Sequence, residues 1–300
     1  MTPILYHYPM SPFSEKLRLA LGMRKQEWCS VLVPAQPPRP VLDALLGGYR
    51  RIPVLQLGSH FYCDSRLAYS ALNDGVPQSS KLESQDESLR CWAEREVFFS
   101  VLVAAPQMKV LSYLVGQLGM IGMGRFMRDR MQIRQDATIV LPSKIEAREH
   151  ITRYVSCIAS RLASMPNLSG AKPGYLDLCC FHPLWMACQI DSQCRQDWPS
   201  TVVDWMERLV KIPRDPPTRA SDHTVMDAIA SDQDRVVGEV SEPFLPGASV
   251  VLKPLDYARD STAGELIALD DDGAVLRRRI ETGHDVYLHF PREGFVLQAA

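Results

Sequence analysis

Three hundred residues exceed one average domain and suit two domains with an extension, at about 150 residues apiece. With 46% hydrophobic and 23% charged residues, the chain has the composition of a globular protein with ample material for a core. A formal net charge of −2 gives no electrostatic case for nucleic acid or an anionic membrane as partner, and Arg277-Arg278-Arg279 reads as a solvated strand or turn.

The opening Met1-Thr2-Pro3-Ile4-Leu5 lacks a basic stretch and a long apolar run, so it is not expected to be a secretory signal. Residues 4–7 predict a strand and residues 13–21 a helix, with Ser11 as N-cap and Pro12 at its first position. A second strand is expected over 28–33, followed by a Pro-rich loop over 34–40. Residues 54–57 and 61–63 flank Gly58-Ser59 and predict an antiparallel hairpin. Residues 65–72 predict a helix ending near Asn73-Asp74-Gly75, and 75–80 a linker.

From Lys81 to about Ile212 the pattern is helical, with helices expected near 81–104, 107–122, 143–164, 175–190 and 199–210. The stretch 97–124 is the most apolar of the chain. Pro106, Gln107, Lys109 and Gln117 interrupt it, leaving no run of about 20 apolar residues fit to span a bilayer. Pro213 to Pro217 marks a boundary, and 221–231 has a short helical pattern. From Arg235 onward strands are expected at 249–252, 265–269, 275–280, 286–290 and 295–297, with Asp272-Gly273 as a hairpin turn. Such spacing suggests a small antiparallel barrel or meander. The eight cysteines include no C-x-x-C pair, which fits a reducing cytoplasm, and packing is the default role of Cys179 and Cys180. No His follows metal-ligand spacing with Cys or another His, so no metal is expected.

The chemistry concentrates near the N-terminus. A strand leads to a Ser-capped helix at Ser11-Pro12-Phe13-Ser14. An X-Pro then starts a strand in Arg51-Ile52-Pro53-Val54-Leu55, and Asp64-Ser65 opens another helix. In this order and spacing the sequence resembles the glutathione transferases, whose N-terminal domain has a thioredoxin-like fold. The resemblance covers residues 1 to about 75 and extends more loosely into a helical second domain. It implies an α/β thioredoxin-like, glutathione-binding domain over 1–75 and an all-α substrate domain over 81–215. A small antiparallel, barrel-like β extension over 235–300 would complete the chain; ordinary transferases lack it. The resemblance also implies glutathione as co-substrate, a small, apolar electrophile as second substrate, and a homodimer.

Glutathione chemistry needs its thiol, with a free pKa near about 8.5, held as thiolate, and each unit of lowering takes about 1.36 kcal/mol. A helix N-terminus supplies part of this through unpaired N–H groups, and the Ser11 hydroxyl can add a hydrogen bond. By resemblance Ser11 stands where omega-class enzymes carry the catalytic Cys of their C-P-F motif. It also aligns with the catalytic Ser of the zeta class, anchored by Arg18-Leu19-Ala20-Leu21. Serine cannot form a mixed disulfide, so conjugation or thiolate-driven elimination is expected rather than disulfide exchange. Ser14 is a substitute one turn along, and Ser11-Pro12 alone is equally a plain helix start.

Ile52-Pro53 resembles the family's cis-proline element, which would offer Ile52 backbone groups to the cysteinyl unit; an ordinary trans-Pro at a strand start is the alternative. Ser65 could grip the γ-glutamyl carboxylate and Asp64 the α-amino group, or the two could be a plain N-cap pair. Arg39 and Arg50 are possible cations for the glycyl carboxylate. Met10, Phe13, Met108 and Tyr113 could meet around the second substrate, though such residues also serve as core. Asp177, three residues after Gly174, matches a family position that serves folding. Two rival readings stand beside the transferase: a non-catalytic binding or scaffold protein of the same fold, and a zeta-like isomerase. Pro12 and Phe13 interrupt the zeta Ser-Ser-Cys signature and disfavour the isomerase.

Overall fold

A computed structural model describes residues 1–72, 82–214, 217–232 and 236–300. The expected helix end near 73–75, the linker over 75–80 and the boundaries at 81, 215 and 235 therefore lie outside the described residues.

The N-terminal part runs β1 (Ile4–His7), α1 (Pro12–Arg24), β2 (Cys29–Leu32), α2 (Pro40–Leu46), β3 (Val54–Leu57), β4 (His60–Tyr62) and α3 (Ser65–Ala71). This is the thioredoxin-like arrangement: β1 pairs parallel with β2 and antiparallel with β3, and β3 pairs antiparallel with β4. Helix α2 falls where the sequence reading saw only a Pro-rich loop and its sequel. Its signals were local. Pro40 occupies the first turn, the Arg39 N–H donates to the Asp43 carboxylate at 2.8 Å, and Gly47 ends the helix at φ 63°.

The helical part holds α4 (Ser84–Trp92), a π-turn over Ala93–Val97, α5 (Phe98–Ala104), α6 (Gln107–Gln135), α7 (Lys144–Leu162), α8 (Tyr175–Ile190) and α9 (Ser200–Val210). The chain bends by 101° at the break before α6. Helix α6 outruns the expected 107–122 because its glycines weaken the helical signal without ending the helix; at Gly119 the backbone turns to φ 68° and kinks it. Among the described residues no single helix is long and apolar enough to cross a membrane.

The C-terminal part starts with β5 (Thr218–Arg219) and α10 (Asp222–Ala230). It continues through β6 (Ser249–Pro254), β7 (Thr262–Leu269), β8 (Gly273–Arg279), β9 (Asp285–Pro291) and β10 (Phe295–Ala299). The last five strands are antiparallel to one another, as their turn signals suggest. They do not form a small, separate extension. Strand β9 pairs parallel with β4, and β5 pairs with β2, so one ten-stranded sheet runs in the order β10-β6-β7-β8-β9-β4-β3-β1-β2-β5. The expectation of a small barrel-like appendage is thereby corrected. Strand β4 would otherwise present a row of unpaired N–H and C=O groups, and β9 satisfies them.

Two cores result. One gathers α1 and α3 against the helical part, around Leu17, Tyr154, Phe181 and Trp205. The other gathers α2 and α10 against the C-terminal strands, around Leu42, Phe61, Ile229, Leu288 and Phe290. Asp177, fully buried, joins the helical core together: it accepts from the N–H groups of Leu168, Ser169 and Gly174 and from Trp205 Nε1, at 2.8–3.0 Å.

Candidate functional site

Strand register brings the candidate segments to one end of the sheet. Tyr6 near the end of β1 faces Val54 at the start of β3, and Leu55 faces Tyr62 at the end of β4. The loop to Ser11, the Ile52-Pro53 bond and Asp64-Ser65 therefore all emerge at the same end of the sheet.

Ser11 is buried and caps α1; its Oγ accepts from the Ser14 N–H at 3.1 Å, which leaves its own hydroxyl proton to donate elsewhere. The loop before it is fixed by Arg18, which pairs with Glu15 and donates to the carbonyls of Tyr8 and Pro9. Arg18 also faces His7 Nδ1 at 3.1 Å. Because a guanidinium only donates, Nδ1 is the acceptor and His7 Nε2–H donates to Ser30 Oγ at 2.8 Å. Burial, and then the Arg18 charge, push the His7 pKa down to about 4. Ser14 is fully buried and its Oγ has no hydrogen-bond partner among the described residues.

The Ile52-Pro53 peptide bond is cis. Neither the Ile52 N–H nor its C=O is bonded to another backbone group among the described residues. Asp64 caps α3, its carboxylate accepting from the Arg66 N–H at 2.7 Å. Ser65 Oγ accepts from Lys16 Nζ at 3.1 Å; an ammonium only donates, so the Ser65 hydroxyl proton is also left for an acceptor.

Lys16 is the residue that sequence reasoning missed. It sits on the second turn of α1 with its charge buried, 1% exposed, and pairs with Glu94 from the π-turn. Burial works against its charge, but Cys179 and Glu94 outweigh burial and the pKa lies above the usual lysine value. Burial acts against the Glu94 charge too, yet Lys16 and Arg90 hold its carboxyl down to about 2. A charge at helical spacing reads from sequence as a solvated face, and only the packing of α8 over α1 reveals otherwise.

Beside this pair lies His182, fully buried, its ring against Phe13 at 4.6 Å. Its Nδ1–H donates to Cys179 O at 2.8 Å, the carbonyl that Pro183 cannot serve inside the helix. Burial pushes the His182 pKa down to about 3.

Other expectations fail. Arg39 is buried and donates to the carbonyls of Pro34, Ala35 and Arg50, and Arg50 pairs with Asp129 and Asp260. Both cations are committed to the fold. Phe13 packs on Phe98 and His182 and Met10 is buried, the core role that such residues also serve, while Met108 is 74% exposed and Tyr113 is half-buried. Glu87, Cys91 and Glu293 place potential metal-binding atoms within 4.8 Å of one another, a group the sequence spacing does not reveal. Arg66 and Arg90 reach both carboxylates and Arg95 reaches Glu293, so the cluster is an ion-pair network unfavourable to a cation.

Residues 5–72 match the family model described as the glutathione S-transferase N-terminal domain. No curated protein matches the chain. A GST-like protein from Pseudomonas syringae is similar over 100% of this chain and 99% of its own, at 26% identity and TM-score 0.75. A glutathione S-transferase from Pseudomonas fluorescens matches 72% of this chain and 98% of its own, at 15% identity and TM-score 0.48. Gtt2 from Saccharomyces cerevisiae matches 75% of this chain and 100% of its own, at 14% identity and TM-score 0.45. Residues 5–72 are thus similar to the glutathione S-transferase N-terminal domain, and the chain as a whole is similar to a GST-like protein.

Proposed function

We propose that the protein is a glutathione transferase in which bound glutathione thiolate attacks a small electrophile. The observation that carries this reading is the convergence of Ser11, Ile52-Pro53 and Asp64-Ser65 on one end of the sheet. Ser11 donates its hydroxyl proton to the thiolate, and the N-terminus of α1 adds its N–H groups. Ile52 pairs through its backbone with the cysteinyl unit. Ser65, its oxygen held by Lys16, donates to the γ-glutamyl carboxylate, and Asp64 receives the α-amino group. The thiol proton goes to solvent, a sulfur–carbon bond forms, and the leaving group departs with the bonding pair.

On this reading residues 1–75 form the glutathione-binding unit, 81–215 the helical unit and 235–300 the β-rich unit of a cytoplasmic homodimer. Calorimetric titration of glutathione into the wild type and into Ser65→Ala tests it. Loss of a hydrogen bond to a charged group, about 1.5–3 kcal/mol, predicts affinity weaker by roughly tenfold or more in the variant. If the wild type takes up no glutathione, the second reading stands: a binding or scaffold protein in which the buried Ser11 only caps α1.

A further inference from the structure

A cavity of about 740 Å³ opens next to the candidate glutathione segments, with walls from three parts of the chain. Phe99 and Glu94 come from the α5 side, residues 139–142 from the connection into α7, His150 from α7 itself, and Leu255 and Glu293 from the ends of the C-terminal strands. Its size suits one small organic molecule.

Three ion pairs tie the cavity walls to the glutathione segments. Glu94 reaches Lys16, which donates to Ser65; Asp256 pairs with Arg51, next to Ile52; Glu293 pairs with Arg66, next to Ser65.

The lining is apolar with an unbalanced charge. Phe99, Leu141, Pro142 and Leu255 supply hydrocarbon, and Val140 stands 91% exposed at the edge. Five carboxylates (Glu94, Glu96, Glu146, Asp256 and Glu293) face one arginine, Arg95. Lys16, Arg51, Arg66 and Arg90 neutralise Glu94, Asp256 and Glu293 from behind, and Arg95 is itself spent on Glu293. Glu146 accepts from the Ser143 N–H, which leaves its charge in place. Glu96 has no hydrogen bond or ion pair among the described residues. His150 engages Ser100 through Nδ1 at 3.1 Å, so Nε2 is the ring nitrogen left for a ligand.

We propose that this cavity binds an apolar, ring-sized molecule bearing a cationic amine, and that the C-terminal strands form one wall of that site. Its role as second-substrate site rests on the transferase reading; its binding preference does not. Two carboxylates without counter-ions beside an apolar surface attract a cation and repel an anion of the same shape.

Calorimetric titration with 1-naphthylmethylamine and with 1-naphthoate, in the absence of glutathione, tests the preference. The amine binds at least about tenfold tighter than the carboxylate. Glu96→Gln narrows that gap several-fold, and Leu255→Trp, which fills the C-terminal wall, abolishes amine binding; both side chains are solvent-exposed, and thermal melts verify that the variants fold. Equal or reversed affinities overturn the proposal, as does amine binding unchanged by both substitutions. A wild type that binds the amine in this pattern but no glutathione would refute the transferase reading alone.

Discussion

At the scale of single residues, two buried histidines make stability depend on pH. His7 and His182 are neutral in the fold, with pKa values pushed down to about 4 and about 3, first by burial. In the unfolded chain each takes up a proton near about pH 6.5. Below that value the unfolded state binds protons that the folded state refuses, so stability is full above about pH 6.5 and falls as pH drops. Each histidine costs up to about 1.4 kcal/mol per pH unit through that window. Thermal melts from pH 8 to pH 4.5 are therefore expected to be flat at first and then to fall steeply. A melting temperature constant down to pH 5 would show that the two rings are hydrated in the native state. Glu94, held down to about 2, adds its loss below about pH 4.3, where the unfolded carboxyl takes up a proton that the folded one refuses until about pH 2.

At the scale of elements, the start of α8 is the clearest case of one side chain organising a segment. Asp177 receives four N–H donors and is fully buried, and its removal leaves those donors unpaired. Asp177→Ala is expected to destabilise the protein by about 3 kcal/mol or more, read from denaturant melts, with a shift in Trp205 fluorescence as its indole loses its acceptor. A loss below about 1 kcal/mol would place the organising contacts of this segment elsewhere.

Elements with local signals were legible in the sequence. The Ser11-Pro12 start of α1, the Gly58-Ser59 hairpin and Asp272-Gly273 each carry a turn or cap whose chemistry is written in adjacent residues. The extent of α6 was not legible, because glycine weakens the pattern while packing keeps the helix. The burial of Lys16 was not legible either, because its partner Glu94 lies on another helix and its cover comes from a third. In the candidate site, Ser11, Pro53 and Ser65 could be found from motifs, whereas the cavity could not, since its walls come from residues more than a hundred positions apart.

At the scale of the whole molecule, the β-rich C-terminal part is structural in the strict sense of completing a sheet. Cys63 N–H donates to His289 O at 3.0 Å, Tyr287 N–H to Ser59 O at 2.9 Å, and His60 meets His289 at 2.8 Å across the same seam. Deleting residues 236–300 exposes the β4 edge together with Phe61 and Val54 of the second core. The truncated chain is expected to aggregate or to bind hydrophobic dyes, as seen in light scattering and dye fluorescence. A soluble truncated protein with an unchanged melting temperature would show that the seam between β4 and β9 contributes little. The match to a GST-like protein over the full chain agrees with an architecture in which these strands are integral.

On the proposed reading this sheet end holds glutathione as an activated thiolate. The most direct measurement is titration of the bound thiol by its thiolate ultraviolet absorbance, in the wild type and in Ser11→Ala. The expected pKa lies at least one unit below the free value of about 8.5 and returns upward in the variant. Glutathione that binds with an unshifted thiol in both proteins would contradict it.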